Sequence, residues 1–186
     1  MPFGRKVEPE EFEKAALPHV NDLLRTAARL TRSRIEAEDL VQEVYLQAWK
    51  SFHRFEPGTN CRAWLFKILL NKLYRQRRKW FQFRAIDDGE KVIEGLTYEP
   101  PIPEHLGDEE VLAALHKIPL HYREAVLLAD VEDFSYKEIC FILKVPIGTV
   151  MSRISRGRKL LRVELGELAE SYGIKNNKEG AGNGGE

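Results

Sequence analysis

The chain of 186 residues has two cysteines, no long apolar run and no strand-like alternation of apolar and polar residues. Cys61 and Cys140 lie far apart without a C-x-x-C motif, which argues against a metal or redox role and agrees with a reducing compartment. Apolar runs such as residues 125–129 fall far short of the roughly 20 residues that cross a bilayer. We therefore expect a cytoplasmic, all-helical protein with no membrane contact.

Motifs of catalysis and cofactor binding are also missing. The five histidines show no H-E-x-x-H or other metal-ligand spacing. Neither the phosphate-cradling G-x-x-x-x-G-K nor the nucleophile motif G-x-S-x-G occurs. The sequence predicts a protein that is not an enzyme and that needs no cofactor or metal.

Two stretches lack acidic residues, one between Glu56 and Asp87 and the other between Glu138 and Glu164. The formal net charge is zero, but residues 1–84 hold 17 Lys/Arg against 10 Asp/Glu, residues 85–110 hold 1 against 9, and residues 111–186 hold 11 against 10. Charge separated into blocks indicates a polyanionic partner for the basic segments and an acidic connector between them.

Apolar residues recur at spacings of three and four, which predicts two small helical domains. The predicted helices span residues 12–30 with a break at Pro18, then 36–52, 62–80, 108–117, 120–130, 135–143 and 147–169. We expect one domain over residues 1–86, an acidic flexible linker over 87–107, a second domain over 108–172 and a disordered tail over 173–186.

The second domain contains the pattern of a helix-turn-helix. Ser135 and Glu138 fit a capping box, and a short turn then leads into a longer helix. Lys144 occupies the turn position where glycine is usual, so the turn is expected to be strained or slightly different.

At about 100° per residue, one side of the longer helix is apolar and starts at Ile147. The opposite side suits a major groove, with Arg153 and Arg158 flanking it for phosphates. The predicted duplex-binding residues are Thr149, Ser152, Arg153, Ser155, Arg156, Arg158 and Lys159. A solvated cationic face is the alternative.

The first acid-free stretch suits unpaired DNA. Between Arg62 and Arg84, eight basic residues alternate with aromatic residues, most of which we expect in the core. Lys67, Asn71, Arg75, Arg78 and Lys79 follow one helical stripe. Such a stripe can track a phosphate backbone while nearby aromatics stack on bases. Any basic helix that crosses an apolar core looks similar, so this signal is weak by itself.

Three segments in order, residues 38–49, 60–71 and 146–158, resemble the extracytoplasmic function sigma factors of bacterial RNA polymerase. The resemblance covers about residues 10–172. It implies an all-helical fold made of a sigma region 2 bundle and a sigma region 4 helix-turn-helix. It further implies promoter-specific transcription initiation with core RNA polymerase and a role in stress response.

The resemblance also implies a division of labour among sites. Asp39, Gln42 and Glu43 would dock on the clamp helices of the largest polymerase subunit, with a solvated acidic face as the alternative. The second domain would bind the minus 35 element as duplex. The linker would thread through polymerase toward the RNA exit path. Melting and single-strand capture of the minus 10 element would involve Asn60, Arg62, Asn71, Lys72, Arg75, Arg78 and Lys79.

The run from Pro146 to Arg153 and the segment from Ala16 to Pro18 resemble the subset of the family controlled by zinc-binding, thiol-sensitive anti-sigma factors. We therefore expect an anti-sigma factor as a partner. Many relatives carry a basic residue where Met151 stands, so their promoter preference does not transfer to this chain.

A stand-alone helix-turn-helix regulator that binds duplex DNA as a dimer is the competing interpretation. It explains residues 134–162 but gives no role to the acidic helix around Asp39 or to the first basic stretch.

Overall fold

The computed structural model describes residues 8–31, 33–83 and 108–171, and the side chains of 79–83, 108 and 167–171 are not included. Within these ranges the chain is helical and has no strand. The helices are α1 (Pro9–Ala16), α2 (Val20–Leu30), α3 (Arg34–Ser51), α4 (Cys61–Phe83), α5 (Asp108–Lys117), α6 (Leu120–Val126), α7 (Tyr136–Leu143) and α8 (Ile147–Ser171). The predicted linker and tail lie outside the described residues.

Helices α1–α4 form an amino-terminal bundle in which α3 packs against α2 and α4. Leu65, Leu69 and Leu73 recur every four residues on α4, and all three are buried as the spacing predicts. Phe12 of α1 closes the bundle through edge-on contact with Phe52, their ring centroids 5.1 Å apart. Burial of this apolar stripe is the main term that stabilises the bundle.

Polar side chains set where these helices begin. Ser33 accepts a hydrogen bond from the Glu36 amide at 3.2 Å, and this caps α3. Asn60 accepts one from the Ala63 amide at 3.0 Å and caps α4. Pro18 lies in a short 3₁₀ turn between α1 and α2, where the sequence predicts the break.

Helices α5–α8 form a carboxy-terminal bundle around the first half of α8. Val150 and Ile154 of α8 are buried against the shorter helices. Gly157 is also buried, because α6 crosses α8 at this residue with no space for a side chain. After α6 the helix widens into a π turn over Leu127–Val131.

The two bundles pack against each other and share one apolar core. Phe66 of α4 meets Phe134 of the carboxy-terminal bundle edge-on, with ring centroids 5.0 Å apart. Helix α4 also lies along α7. The sequence predicted two domains but not this contact between them.

None of the helices in the described ranges has the length and apolar character needed to span a bilayer.

Candidate nucleic-acid and polymerase interfaces

Helices α7 and α8 form the predicted helix-turn-helix. Glu138 accepts a hydrogen bond from the Ser135 amide at 2.8 Å while the Ser135 hydroxyl caps the Glu138 amide, so the predicted capping box is confirmed. Lys144 ends α7 in the left-handed region with φ of 57°, and its amide donates to the Cys140 carbonyl at 2.9 Å. The glycine that is usual here would adopt this φ without steric cost. Lys144 therefore accounts for the strain that the sequence indicated.

Helix α8 presents a polar face to solvent. Ser152, Ser155 and Arg156 are exposed, and Thr149 and Lys159 are half-buried. These five residues have no acidic neighbour in the stretch from 139 to 163. At about 100° per residue the five share one side of α8, and their contact with a major groove stays a prediction.

The prediction that the apolar side of α8 starts at Ile147 is wrong. Ile147 is 50% exposed rather than buried, and Met151, one turn later, is 53% exposed. Ile147 is the first residue of the helix. The polar surface of α8 is thus bordered by two exposed apolar side chains.

Arg153 and Arg158 are placed differently from the other five. The Arg153 guanidinium lies 3.7 Å from a carboxylate oxygen of buried Glu124. Arg158 donates from Nε and Nη2 to both oxygens of Asp130, at 3.0 and 2.5 Å. Both arginines face acids of their own bundle in this structure, and their phosphate contacts stay a prediction.

Helix α4 carries an exposed polar stripe. Asn71, Arg75 and Arg78 all lie on the solvent side of the helix. Lys72 is half-buried and pairs with Glu43 of α3, their charged atoms 3.4 Å apart. Lys79 continues the same helix, and its side chain is outside the described set.

Asn60 and Arg62, predicted for the same DNA strand, are engaged by the carboxy-terminal bundle. The Asn60 amide donates to Glu138 at 2.5 Å. Arg62 donates to Asp22 at 2.9 Å, to the main-chain carbonyl of Glu132 at 2.8 Å and to the Glu132 carboxylate. The structure therefore separates this pair from the open stripe of Asn71, Arg75 and Arg78.

Asp39, Gln42 and Glu43 are exposed on the side of α3 opposite the core. Ile35 and Leu46, which lie four residues before Asp39 and three after Glu43, are 72% and 61% exposed. Both lie on the same exposed side of α3 as the three predicted residues. The sequence analysis found the acids and missed these two residues, although their i, i+4 and i, i+7 spacing along the exposed side was readable.

The described residues contain no group of three or more His, Cys, Asp or Glu side chains placed to hold a metal ion. Cys61 and Cys140 are free thiols and are half-buried rather than fully buried. Burial raises the pKa of Cys61 to about 11, so this side chain is a neutral thiol at physiological pH.

Comparison with known proteins decides the family. Residues 16–80 match the Sigma-70 region 2 family, and residues 108–161 match the Sigma-70, region 4 family. The chain is 37% identical over 162 residues to the ECF RNA polymerase sigma factor EcfG of Rhodopseudomonas palustris (strain TIE-1), covering 84% of this chain and 87% of that protein. The chain belongs to the extracytoplasmic function sigma factors.

Other relatives agree with this assignment. ECF RNA polymerase sigma factor SigE of Mycolicibacterium smegmatis is 35% identical over 177 residues, covering 87% of this sigma factor and 67% of that protein. The sigma factor RpoE of Bartonella quintana, solved in complex with the anti-sigma factor NepR, has a TM-score of 0.70 at 34% identity, covering 84% of this chain and 98% of that one. The all-helical fold and the identification as a sigma factor rather than a stand-alone regulator are confirmed.

Glu124 is one of the buried polar residues of this sigma factor that the sequence analysis missed. It is fully buried in α6, where it accepts a hydrogen bond from Tyr74 of α4. Burial raises the pKa of Glu124 to about 7, although the Tyr74 hydrogen bond and the positive charges of Arg153 and Arg77 lower it. The sequence carries no clear signal for this burial, because Asp130, which directly follows the same apolar run of residues 125–129, is exposed.

Proposed function

We propose that this sigma factor binds core RNA polymerase through α3 and reads the promoter in two physical states. The minus 10 element is bound as an opened single strand along α4, and the minus 35 element is bound as duplex by α8. The exposed, acid-free polar face of α8, presented by a capped helix-turn-helix, is the observation that carries this proposal.

The duplex-binding surface consists of Thr149, Ser152, Ser155, Arg156 and Lys159, with Arg153 and Arg158 at its margin. Arg156 is exposed near the centre of this surface and is free to extend two parallel donors to a guanine edge. Its neighbours Ser152 and Ser155 can donate to base edges or to phosphates. Arg156 is therefore the residue whose loss most directly tests the surface.

Replacing Arg156 with Ala should weaken binding by about 1–3 kcal/mol at one promoter position if the side chain reads a base. Arg156→Lys should not restore binding at that promoter position, because a lysine ammonium cannot donate two parallel hydrogen bonds to one base. Arg34→Ala is the matched control, since Arg34 is exposed on α3 and pairs only with Glu38 at 2.7 Å among the contacts described. A loss of affinity that is equal for all promoter sequences would show that Arg156 contacts phosphate instead of a base.

The single-strand surface consists of seven residues in or next to α4. Asn71, Arg75 and Arg78 are exposed while the two bundles pack against each other. They supply an amide for base edges and two cations for the backbone. Lys72, Lys79, Asn60 and Arg62 complete the proposed set.

The polymerase-binding surface is Asp39, Gln42 and Glu43, and the exposed Ile35 and Leu46 extend it. Its proposed partner is the clamp-helix region of the largest polymerase subunit. Reversing one charge by Asp39→Arg should abolish co-purification with core polymerase and leave minus 35 duplex binding intact. Glu56→Arg is the control for the same charge change, because Glu56 is exposed in the loop before α4 and lies outside this surface.

We assign residues 1–86 to region 2, 87–107 to the linker, 108–172 to region 4 and 173–186 to the tail. The family matches over 16–80 and 108–161 support the two regions.

An anti-sigma factor is the proposed regulator. The structure of the relative RpoE was solved in complex with the anti-sigma factor NepR. The structure of CnrH, which shares the fold, was solved in complex with the cytosolic domain of CnrY. The zinc-binding, thiol-sensitive class of regulator is proposed from the Pro146–Arg153 run and the Ala16–Pro18 segment. Zinc analysis of an inhibitor that binds this chain, before and after thiol oxidation, tests that class.

Run-off transcription with core polymerase on a random-promoter library tests the whole proposal. Initiation from a defined subset of promoters is the expected result. Failure of core polymerase to bind the chain, or to gain start-site selectivity from it, would refute the function.

A further inference from the structure

The start of α8 carries an uncharged, exposed stripe on the proposed duplex-binding side. Gly148, Met151, Ser152 and Ser155 follow the spacing i, i+3, i+4 and i+7, so they lie along one side of the helix. All four residues are exposed to solvent. Arg156, the first exposed cation of α8, comes only after this stripe. The first part of the surface is therefore neutral.

Met151 places a large apolar side chain in the middle of this stripe. It is 53% exposed, and Ile147, one turn earlier, is 50% exposed. Val150 and Ile154 fill the core on the other side of the helix. About half of the surface of Met151 and of Ile147 stays in water in the free chain, so covering it with an apolar group of a partner would favour the complex.

Gly148 has no packing role in this fold. A Cβ placed there meets nothing within 4 Å, whereas a Cβ at Gly157 would clash with α6. The φ of Gly148 is not positive, so an alanine would fit the backbone and would favour the helix. A helical glycine that no internal contact requires indicates close approach of another molecule to the backbone.

The chemistry of the stripe matches the floor of a DNA major groove. The apolar group that bases present there is the 5-methyl group of thymine. The hydroxyls of Ser152 and Ser155, beside Met151, can reach the polar edges of neighbouring bases. The stretch from 139 to 163 has no acid, which favours a polyanionic partner over a protein surface.

We propose that Met151 is a specificity-determining residue that contacts the 5-methyl group of a thymine in the minus 35 duplex. Ile147 extends the apolar contact, and the missing side chain at Gly148 lets the helix come close enough to the base edges. The inference rests on the proposed function, since it takes α8 to bind the minus 35 element as duplex.

Replacing thymine with deoxyuridine removes this methyl group and keeps the hydrogen bonds of the base pair. The assay uses the full chain with core polymerase and a fluorescent duplex that carries the minus 35 element selected in the transcription library. Replacement of one thymine in the element should weaken binding about fourfold, the change expected when one apolar methyl group loses its contact. Uridine outside the element should have no effect.

Substitutions of Met151 test whether this residue is the reader. Met151→Ala should bind the thymine and uridine duplexes equally, and Met151→Leu should keep the difference because it keeps an apolar side chain of similar size. Met151→Arg should move the preference at that base pair toward guanine, since an arginine pairs with guanine O6 and N7. Leu17→Ala is the matched control, because it removes a 48% exposed apolar residue from the amino-terminal bundle. It should keep the wild-type difference.

Gly148→Ala separates the approach of DNA from folding. This variant should unfold at a higher temperature than wild type and still bind every minus 35 duplex severalfold more weakly. Higher stability together with wild-type affinity would show that DNA does not come close to this residue, and would overturn its proposed role.

Met151 can also be observed directly, because the chain has two methionines and the other is Met1. With isotope-labelled methionine methyl groups in the full chain, the Met151 signal should shift when the thymine duplex is added. It should show a nuclear Overhauser contact to the thymine methyl group, and the uridine duplex should lack this contact. A Met151 signal that does not move at saturating duplex would overturn the inference.

The possible failures are distinguishable. A chain that gives core polymerase no start-site selectivity refutes the proposed function. A chain that initiates selectively, but binds uridine as tightly as thymine at every position of the element, refutes the inference alone. A selected element without any A·T pair does the same. Met151→Ala that keeps the wild-type difference and no longer co-purifies with core polymerase would assign the side chain to a protein partner and also refute the inference.

Discussion

Of Gly58, Gly148 and Gly157, Gly157 has the least space for a side chain. A Cβ placed there would lie 2.6 Å from Val126 Cγ2 and 3.0 Å from the Tyr122 carbonyl oxygen. The carbonyl belongs to the backbone of α6, so it can move only if the whole helix moves. Overpacking of this kind costs about 1–3 kcal/mol. We expect Gly157→Ala to destabilise the carboxy-terminal bundle by that amount.

Gly148 provides the matched control within the same helix. A Cβ at Gly148 meets nothing within 4 Å, so Gly148→Ala should gain up to about 1 kcal/mol from helix propensity. Urea and thermal unfolding of the two variants should therefore shift in opposite directions. Val126→Ala should partly rescue Gly157→Ala, because it removes the nearer of the two clashes.

Equal unfolding midpoints for the two glycine variants would refute this reasoning. That result would mean that α6 can withdraw from α8 at no cost. A change of roughly 1 kcal/mol corresponds to about 2–4 °C in a chain of this size, which is within the resolution of a thermal scan.

Three further predictions concern stability. Lys144→Gly should raise the free energy of unfolding by up to about 1 kcal/mol in urea titrations, because glycine adopts a φ of 57° without strain. Ser135→Ala should lower it by about 0.5–2 kcal/mol and increase amide exchange at the start of α7, since the cap is lost. The pKa of Glu124 is raised from 4.5 to about 7, so the folded state favours its protonated form. The free energy of unfolding that this protonation contributes is fully present below pH 4.5 and is lost as the pH rises through 7. Wild type should therefore lose about 1–3 kcal/mol more than Glu124→Gln between pH 5 and pH 8, and parallel pH profiles would contradict the burial argument.

The helices were predictable because each has a local cause. The spacing of Leu65, Leu69 and Leu73 predicts the buried face of α4, and the polar residues Ser135 and Glu138 predict the start of α7. The same locality explains why the exposed polar face of α8 is predictable from the sequence. Ile147 was misplaced because periodicity gives the direction of a side chain but not how far neighbouring helices extend.

Contacts between residues distant in sequence were not predictable. Thr26 and Glu132 are 106 positions apart, and no spacing rule joins them. The family resemblance implies that Arg62 contacts DNA, and in this structure Arg62 pairs with Asp22 and Glu132. Charge pattern identifies which side chains need an anion, but it does not identify which anion is nearest.

The sequence by itself determined the helical elements, the two acid-free surfaces and the sigma-factor family, because these depend on residue type and short-range spacing. Tertiary structure alone decided that the two bundles close on each other, that Glu124 is buried between them and that Gly157 admits no side chain. The physical reason is that burial and ion pairing are set by the packing of whole helices, and a sequence pattern records only one side of each contact.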